Sequence, residues 1–156
     1  MSGRRCRRCE GELREVVQTI PVALPRCDVR AEVAAPARRC AACGEAHVDP
    51  AVLSRAHLSV GCALADEGVQ TGGAFRHMRR ALGLRAADLA RLLDLTPETL
   101  SHWETGKVRP SRAAFVALAA MLEDALAGRT TTRDRLQALA RERPRPGALS
   151  VVLRGR

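Results

Sequence analysis

The hydrophobic pattern along the chain changes character near residue 49. Before it stand two strand-like runs, Leu13 to Ile20 and Val29-Arg30-Ala31-Glu32-Val33, the second alternating apolar and charged. Pro21, Pro25 and Pro36 punctuate these runs and rule out one long helix, so residues 1–48 read as a short β-rich module. Asp49-Pro50 then supplies an N-cap with proline at the first helical position. Ala51, Val52, Leu53, Ala56 and Leu58 continue as a linker helix towards Leu64. Gly68 and Thr71-Gly72-Gly73 break that helix, so residues 49–73 read as linker and hinge.

From Ala74 to Leu126 the spacing predicts four helices in a row. Phe75, Met78, Arg79 and Leu82 lie on one, stopped by Gly83, and Ala86 to Leu93 form the second. Thr96-Pro97-Glu98-Thr99 opens the third with a capping hydroxyl, a proline in the first turn and an acid near the positive helix end. Gly106 ends it, and Pro110-Ser111 caps a fourth carrying Phe115, Leu118, Ala119 and Leu122. A short fifth helix spans Thr132 to Arg141, which extends the helical domain over 74–141. Residues 142–156 form a basic tail, with Ala148 to Arg156 open to reading as a short added strand. The fold class is therefore mainly α, with a small β-rich module at the N-terminus.

Composition fits this division. Trp103, Phe75 and Phe115 are the only aromatic residues of the Phe, Trp and Tyr type, and a core of Ala, Leu and Val suits closely packed helices. The formal charge of +9 is uneven: residues 1–48 hold 9 Arg against 6 acids, and residues 129–156 hold 8 against 2. A basic excess at both ends, carried almost wholly by arginine, suits a polyanion such as nucleic acid. Arginine also grips phosphate through two N–H groups at once. No run approaches the roughly 18 apolar residues of a membrane helix. The Met1 to Cys6 segment has charge but no apolar stretch behind it, so no secretory signal is read and a cytoplasmic location is expected. Cysteines there stay reduced, and closely spaced pairs read as metal ligands before disulfides.

Cys6-Arg7-Arg8-Cys9 and Cys40-Ala41-Ala42-Cys43-Gly44 are two such pairs. Each Cys-x-x-Cys turn aims its sulfurs at one point, and two of them supply the tetrahedral set that Zn²⁺ takes in structural sites. The expectation is one structural zinc per chain on Cys6, Cys9, Cys40 and Cys43. A module this small has little apolar core, so metal should supply much of its folding free energy. Four thiolates leave no open coordination position, which argues against hydrolysis. A redox pair needs only one such motif, set in a βαβ pattern that is absent here. Arg4, Arg5, Arg7, Arg8, Arg38 and Arg39 flank the knuckles and offset the negative charge of a Zn(Cys)₄ centre. Cys62 reads as a small core residue. Cys27 lies between strands, with a sensor or fifth-ligand role as the alternative, and His47, His57 and His77 read as surface or core residues.

The segment Leu82 to Gly106 carries the sharpest pattern. Ala90 is small where two helices cross, and Leu89, Leu93, Leu100 and Trp103 fill the angle between them. Asp94 stands in the turn, where a left-handed backbone is wanted and aspartate is better tolerated than most residues. The outward face of the third helix then carries Glu98, Thr99, Ser101, His102 and Thr105, short polar groups able to reach base edges in a major groove.

Through Leu89-Ala90, Thr96, Leu100-Ser101, Trp103-Glu104-x-Gly106 and Pro110-Ser111, residues 74–126 resemble the Cro/CI-type (Xre) helix-turn-helix domain. With the N-terminal knuckles, the chain resembles the MqsA-type (YgiT zinc-finger) antitoxin family over roughly residues 1–126. The resemblance implies a five-helix DNA-binding fold, dimerisation through the C-terminal domain and a palindromic operator in double-stranded DNA. It also implies repression of the protein's own operon and capture of an mRNA-cleaving toxin by the zinc domain. Carried over by position, Glu98 and His102 read bases, with Thr96, Thr99 and Ser101 beside them and Lys107 and Arg109 completing the DNA-binding set. Arg79 and Glu104 match a partly buried ion pair between the first and third helices. The pattern departs from the family at the two base-reading positions, which usually carry amide or arginine side chains. It departs again at Ala86, where a phosphate-touching glutamine is common.

Two regulator readings stay open: an antitoxin with a toxin partner, and an orphan regulator of the same architecture tuned by metal or thiol oxidation. An enzyme is the third class, and the sequence offers it no nucleophile–base pair, phosphate loop or open metal site.

Overall fold

The computed structural model describes residues 5–141, 147, 148 and 150–152. A three-stranded antiparallel sheet, β1 (Leu13–Val22), β2 (Ala31–Cys40) and β3 (Ala46–His47), is ordered β1-β2-β3. Six helices follow: α1 (Pro50–Asp66), α2 (Gly72–Ala81), α3 (Ala86–Leu92), α4 (Pro97–Thr105), α5 (Arg112–Leu126) and α6 (Thr131–Leu139). The tail read over 142–156 lies largely outside the described residues, as does Arg4.

The hairpin is longer than its apolar alternation suggests. Its register runs from Leu13 opposite Cys40 to Val22 opposite Ala31, so Pro21 and Pro36 lie within strands instead of ending them. Pro36 can do so because β3 pairs only with Arg38 and Arg39. Elsewhere β2 has a strand on one side, and a proline's missing N–H is tolerated on an open edge. Val16, Ile20 and Val22 share their face with Val33, Ala35 and Ala37, the more buried side of the sheet, and β2 packs against α1.

Helix α1 also packs into the core. Asp49 caps it through Ala51 N at 2.8 Å, as its sequence suggests, and Ala56, Val60, Gly61 and Leu64 are buried along it. A Cβ on Gly61 would stand 2.7 Å from Leu122 Cδ1, so the glycine lets α1 lie close against α5. The chain breaks after Asp66 and re-enters a helix at Gly72: Thr71 caps α2 through Ala74 N at 3.1 Å, and both glycines are buried in its first turn.

These two features have one physical cause. The core that holds Phe75, Met78, Leu89, Leu100, Trp103, Phe115, Leu118 and Leu122 also contains Val60 and Leu64 of α1, and Val22 and Leu24 from the end of the β1 hairpin arm. The β-rich module and the helices therefore share apolar contacts. Each fully buried aliphatic or aromatic side chain in such a core contributes about 1.5–3 kcal/mol. Phe75 sits at its centre, edge-on to Trp103 with ring centroids 5.5 Å apart and 6.4 Å from Phe115. Cys27 packs at the margin of this core and receives a hydrogen bond from Thr71 Oγ1 at 3.6 Å, which makes it part of the seam between hairpin and α2. Cys62 lies in α1 against the same core, as its sequence context suggests.

His77 is buried on α2, its Nε2 3.2 Å from the His57 carbonyl oxygen. Burial pushes its ring below the usual histidine range; the bond to His57 opposes this, and the His57 ring adds to it. The unfolded chain thus takes up a proton more readily than the folded one. Stability should be full above about pH 6.5 and fall as pH drops through the lowered folded value. Replacing His77 with Gln should reduce the loss of melting temperature between about pH 7.5 and about pH 5.5. An identical loss in the variant would contradict the assignment.

Candidate metal centre and nucleic-acid interface

The first site is built at the open end of the hairpin. Cys40 closes β2, Cys43 follows in the next turn, and Cys6 and Cys9 arrive on a loop tied back by Cys6 N to Gly11 O at 2.8 Å. The four sulfurs lie within 4.8 Å of one another, with Cys6–Cys43 at 3.7 Å and Cys9–Cys40 at 3.4 Å. Tetrahedral zinc, with Zn–S bonds of about 2.3 Å, needs sulfurs about 3.8 Å apart, so the cluster fits the ion. A Cβ on Gly11 would stand 2.9 Å from Cys40 Sγ, so no larger residue fits beside the sulfurs without movement.

Thiol chemistry makes the same point. The Arg8 amide, then the His47 ring, draw the Cys6 thiol down to about 6. Amides of Cys43 and Ala42 lower Cys40. The Gly11 amide acts in the same direction on Cys9, but the neighbouring sulfurs of Cys40, Cys43 and Cys6 outweigh it and push Cys9 up to about 12. Backbone amides thus favour thiolates that repel one another at this separation, and a divalent cation relieves that repulsion. The four cysteines could bind an ion such as zinc. His47, read as an isolated residue in the sequence, sits with Nε2 3.6 Å from Cys6 Sγ. The signal for it was its place four residues after Cys43, one short strand away from the knuckle. Arg8 pairs with Glu45 at 3.1 Å, while Arg5, Arg7 and Arg38 line an open groove with Glu15 and Asp49 beside the N-terminus of α1.

The second site is α3, its turn and α4. Leu89 and Ala90 of α3 meet Leu100 and Trp103 of α4 in the core. Asp94 holds the turn at φ 53°, the left-handed conformation its sequence position calls for, and Leu95 N bonds Ala90 O at 2.9 Å. Thr96 caps α4 through Thr99 N at 3.1 Å, and Gly106 ends it at φ 80°.

The buried side of α4 is fixed by charge as well as packing. Arg79 of α2 donates through Nε and through Nη2, at 2.9 Å, to the two carboxylate oxygens of Glu104. Its Nη1 donates to Leu84 O at 2.7 Å, so one guanidinium joins α2, the loop before α3 and the end of α4. Arg76 adds a second cation 3.9 Å from Glu104.

With that side held, the other side faces outward. Thr96, Glu98 and Ser101 are exposed, and Thr99 and His102 half-exposed. Lys107 and Arg109 are exposed in the following loop, which Gln70 anchors by donating to Pro110 O at 2.8 Å. Thr105 is outward too, but its hydroxyl returns to Ser101 O at 2.8 Å. Expected DNA-contacting residues thus lie together on α4, its N-cap Thr96 and its C-terminal loop.

A family model described as a helix-turn-helix domain matches residues 70–129, which takes in α2 to α5. No curated protein matches the chain. The chain therefore carries a helix-turn-helix domain behind a three-stranded sheet with a cysteine cluster. Such a domain is suited to double-stranded DNA and to regulation. Among the described residues, no helix is long and apolar enough to cross a membrane.

Proposed function

We propose that this protein is a sequence-specific transcriptional regulator, acting as a repressor in the cytoplasm, with one structural zinc on Cys6, Cys9, Cys40 and Cys43. One observation carries the reading: α4 is locked on its inner side by Leu100, Trp103 and the Arg79–Glu104 pair while Glu98, Ser101 and His102 face solvent. A reading helix needs both, because an ill-held helix cannot place side chains on base edges. Glu98 and His102 contact bases, Thr96, Thr99 and Ser101 support them, and Lys107 and Arg109 meet phosphate. The regulator binds a palindromic operator as a homodimer.

The finer role is that of an antitoxin of the MqsA type, with the zinc module holding a toxin. The sheet supports this: β1 is an edge strand, and its outward Val17 is 78% exposed. An exposed edge with an apolar side chain is a ready surface for a protein partner.

Selection of duplexes from a random pool tests the regulator reading. An inverted repeat should be enriched. His102→Ala should then weaken binding to the selected duplex by roughly 5- to 150-fold, the range of one good base contact, and leave random DNA almost unaffected. No enrichment by the native chain would overturn the reading, and equal loss on both duplexes would reduce His102 to a phosphate contact.

A further inference from the structure

We propose that Glu98 and His102 act as one unit that reads a C·G base pair, Glu98 accepting from cytosine N4 and His102 donating to the paired guanine. This rests on the regulator reading above and adds the base chemistry of its target. On the outer face of α4 most polar groups are already engaged. Pro97 offers no polar side chain, and the Thr96 and Thr99 hydroxyls bond each other at 2.9 Å. The Thr105 hydroxyl is turned back onto the helix. Ser101 is exposed, but a hydroxyl both donates and accepts and so discriminates weakly between bases.

Glu98 and His102 remain, one helical turn apart, with Nε2 and Oε1 separated by 3.9 Å. The Glu98 side chain is 82% exposed. A carboxylate only accepts, so it is repelled by guanine N7 and O6 and by thymine O4. Adenine presents one donor but sets N7 beside it, whereas cytosine presents its N4 donor with no acceptor adjoining it on the same base. Within a C·G pair that donor neighbours the O6 and N7 acceptors of the guanine, the order of donor and acceptors that a carboxylate beside an imidazole N–H complements. The carboxylate also acts by exclusion. It faces phosphate-rich surroundings that disfavour it unless a base donor meets it, so mismatched duplexes suffer more than a neutral reader would impose.

The test compares duplexes selected by the native chain and by Glu98→Gln. The native chain should enrich a C·G pair at one fixed position in each half-site and lose roughly 5- to 150-fold in affinity when that pair becomes A·T. Glutamine bonds adenine N6 and N7 together, so the variant should enrich A·T at that position and keep the rest of the motif. Glu98 is exposed, and an unchanged melting temperature will show that the variant folds. If native and variant chains enrich the same base there, the inference falls and the regulator reading stands. If the native chain enriches no motif, both fall.

Discussion

Cys40→Ser is expected to abolish stoichiometric zinc binding and to lower the stability of the helices along with that of the sheet. The first effect follows from the ligand set: Cys40 is buried at the end of β2 with its sulfur 3.4 Å from Cys9. Structural zinc contributes about 10–16 kcal/mol to folding in small zinc-dependent modules, so loss of one ligand of four should release the hairpin from its native state. The second effect follows from the shared core. Val22 and Leu24 lie against the cluster that holds Phe75 and Leu122, and freeing the hairpin uncovers that side of it. Metal content per chain should fall from one towards zero. The melting temperature should drop by about 10 °C or more, since each kcal/mol corresponds to about 2–4 °C in a chain of this size. Retained metal would refute the ligand assignment, and an unmoved helical transition would refute the shared core.

Gly72→Ala is expected to destabilise the protein although alanine is the better helix former. Helix propensity alone favours the change by about 0.5–1 kcal/mol. The contact opposes it: a Cβ at Gly72 would stand 2.1 Å from Trp103 O and 3.1 Å from Gly106 N, both backbone atoms at the end of α4. Overpacking of this kind costs about 1–3 kcal/mol and can exceed that where backbone must move, so the contact outweighs the propensity. Because the displaced element is α4, specific DNA binding should fall with stability. The same substitution at Gly147, which has nothing within 4 Å of the added carbon among the described residues, is the control and should change neither. Gly73 faces the opposite way, where a Cβ would lie 2.3 Å from Arg26 O of the hairpin turn. The first turn of α2 is thus held between the hairpin and the end of α4.

That double contact also explains what the sequence could and could not reveal. Two Cys-x-x-Cys pairs announce the four-sulfur cluster because turns of that spacing bring their sulfurs together. The α3–α4 unit is equally legible: Asp94, Thr96 and Gly106 each answer a local backbone requirement, and the structure places all three as those requirements demand. Caps at Asp49, Thr96 and Ser111 are likewise local and held. Gly72 and Gly73 follow the end of α1 at Asp66, and they also form the first turn of α2. The reason for glycine there is steric and lies at Trp103 and Arg26, residues distant in sequence. Helix α1 reads as a linker because half of its buried residues, Ala56 and Gly61, are small and give little apolar contrast. Pro36 belongs to a strand for a reason of topology, the short reach of β3. His47 meets Cys6 only once β3 has paired with β2.

Backbone amide chemical-shift mapping with a selected duplex decides whether the outer face of α4 is the surface that meets DNA. Shifts should concentrate at Thr96 to His102, with Lys107 and Arg109 following, and the outward face of the hairpin around Val17 should stay unperturbed. Shifts confined to the hairpin, with α4 silent, would mean that DNA is met by the sheet and not by α4.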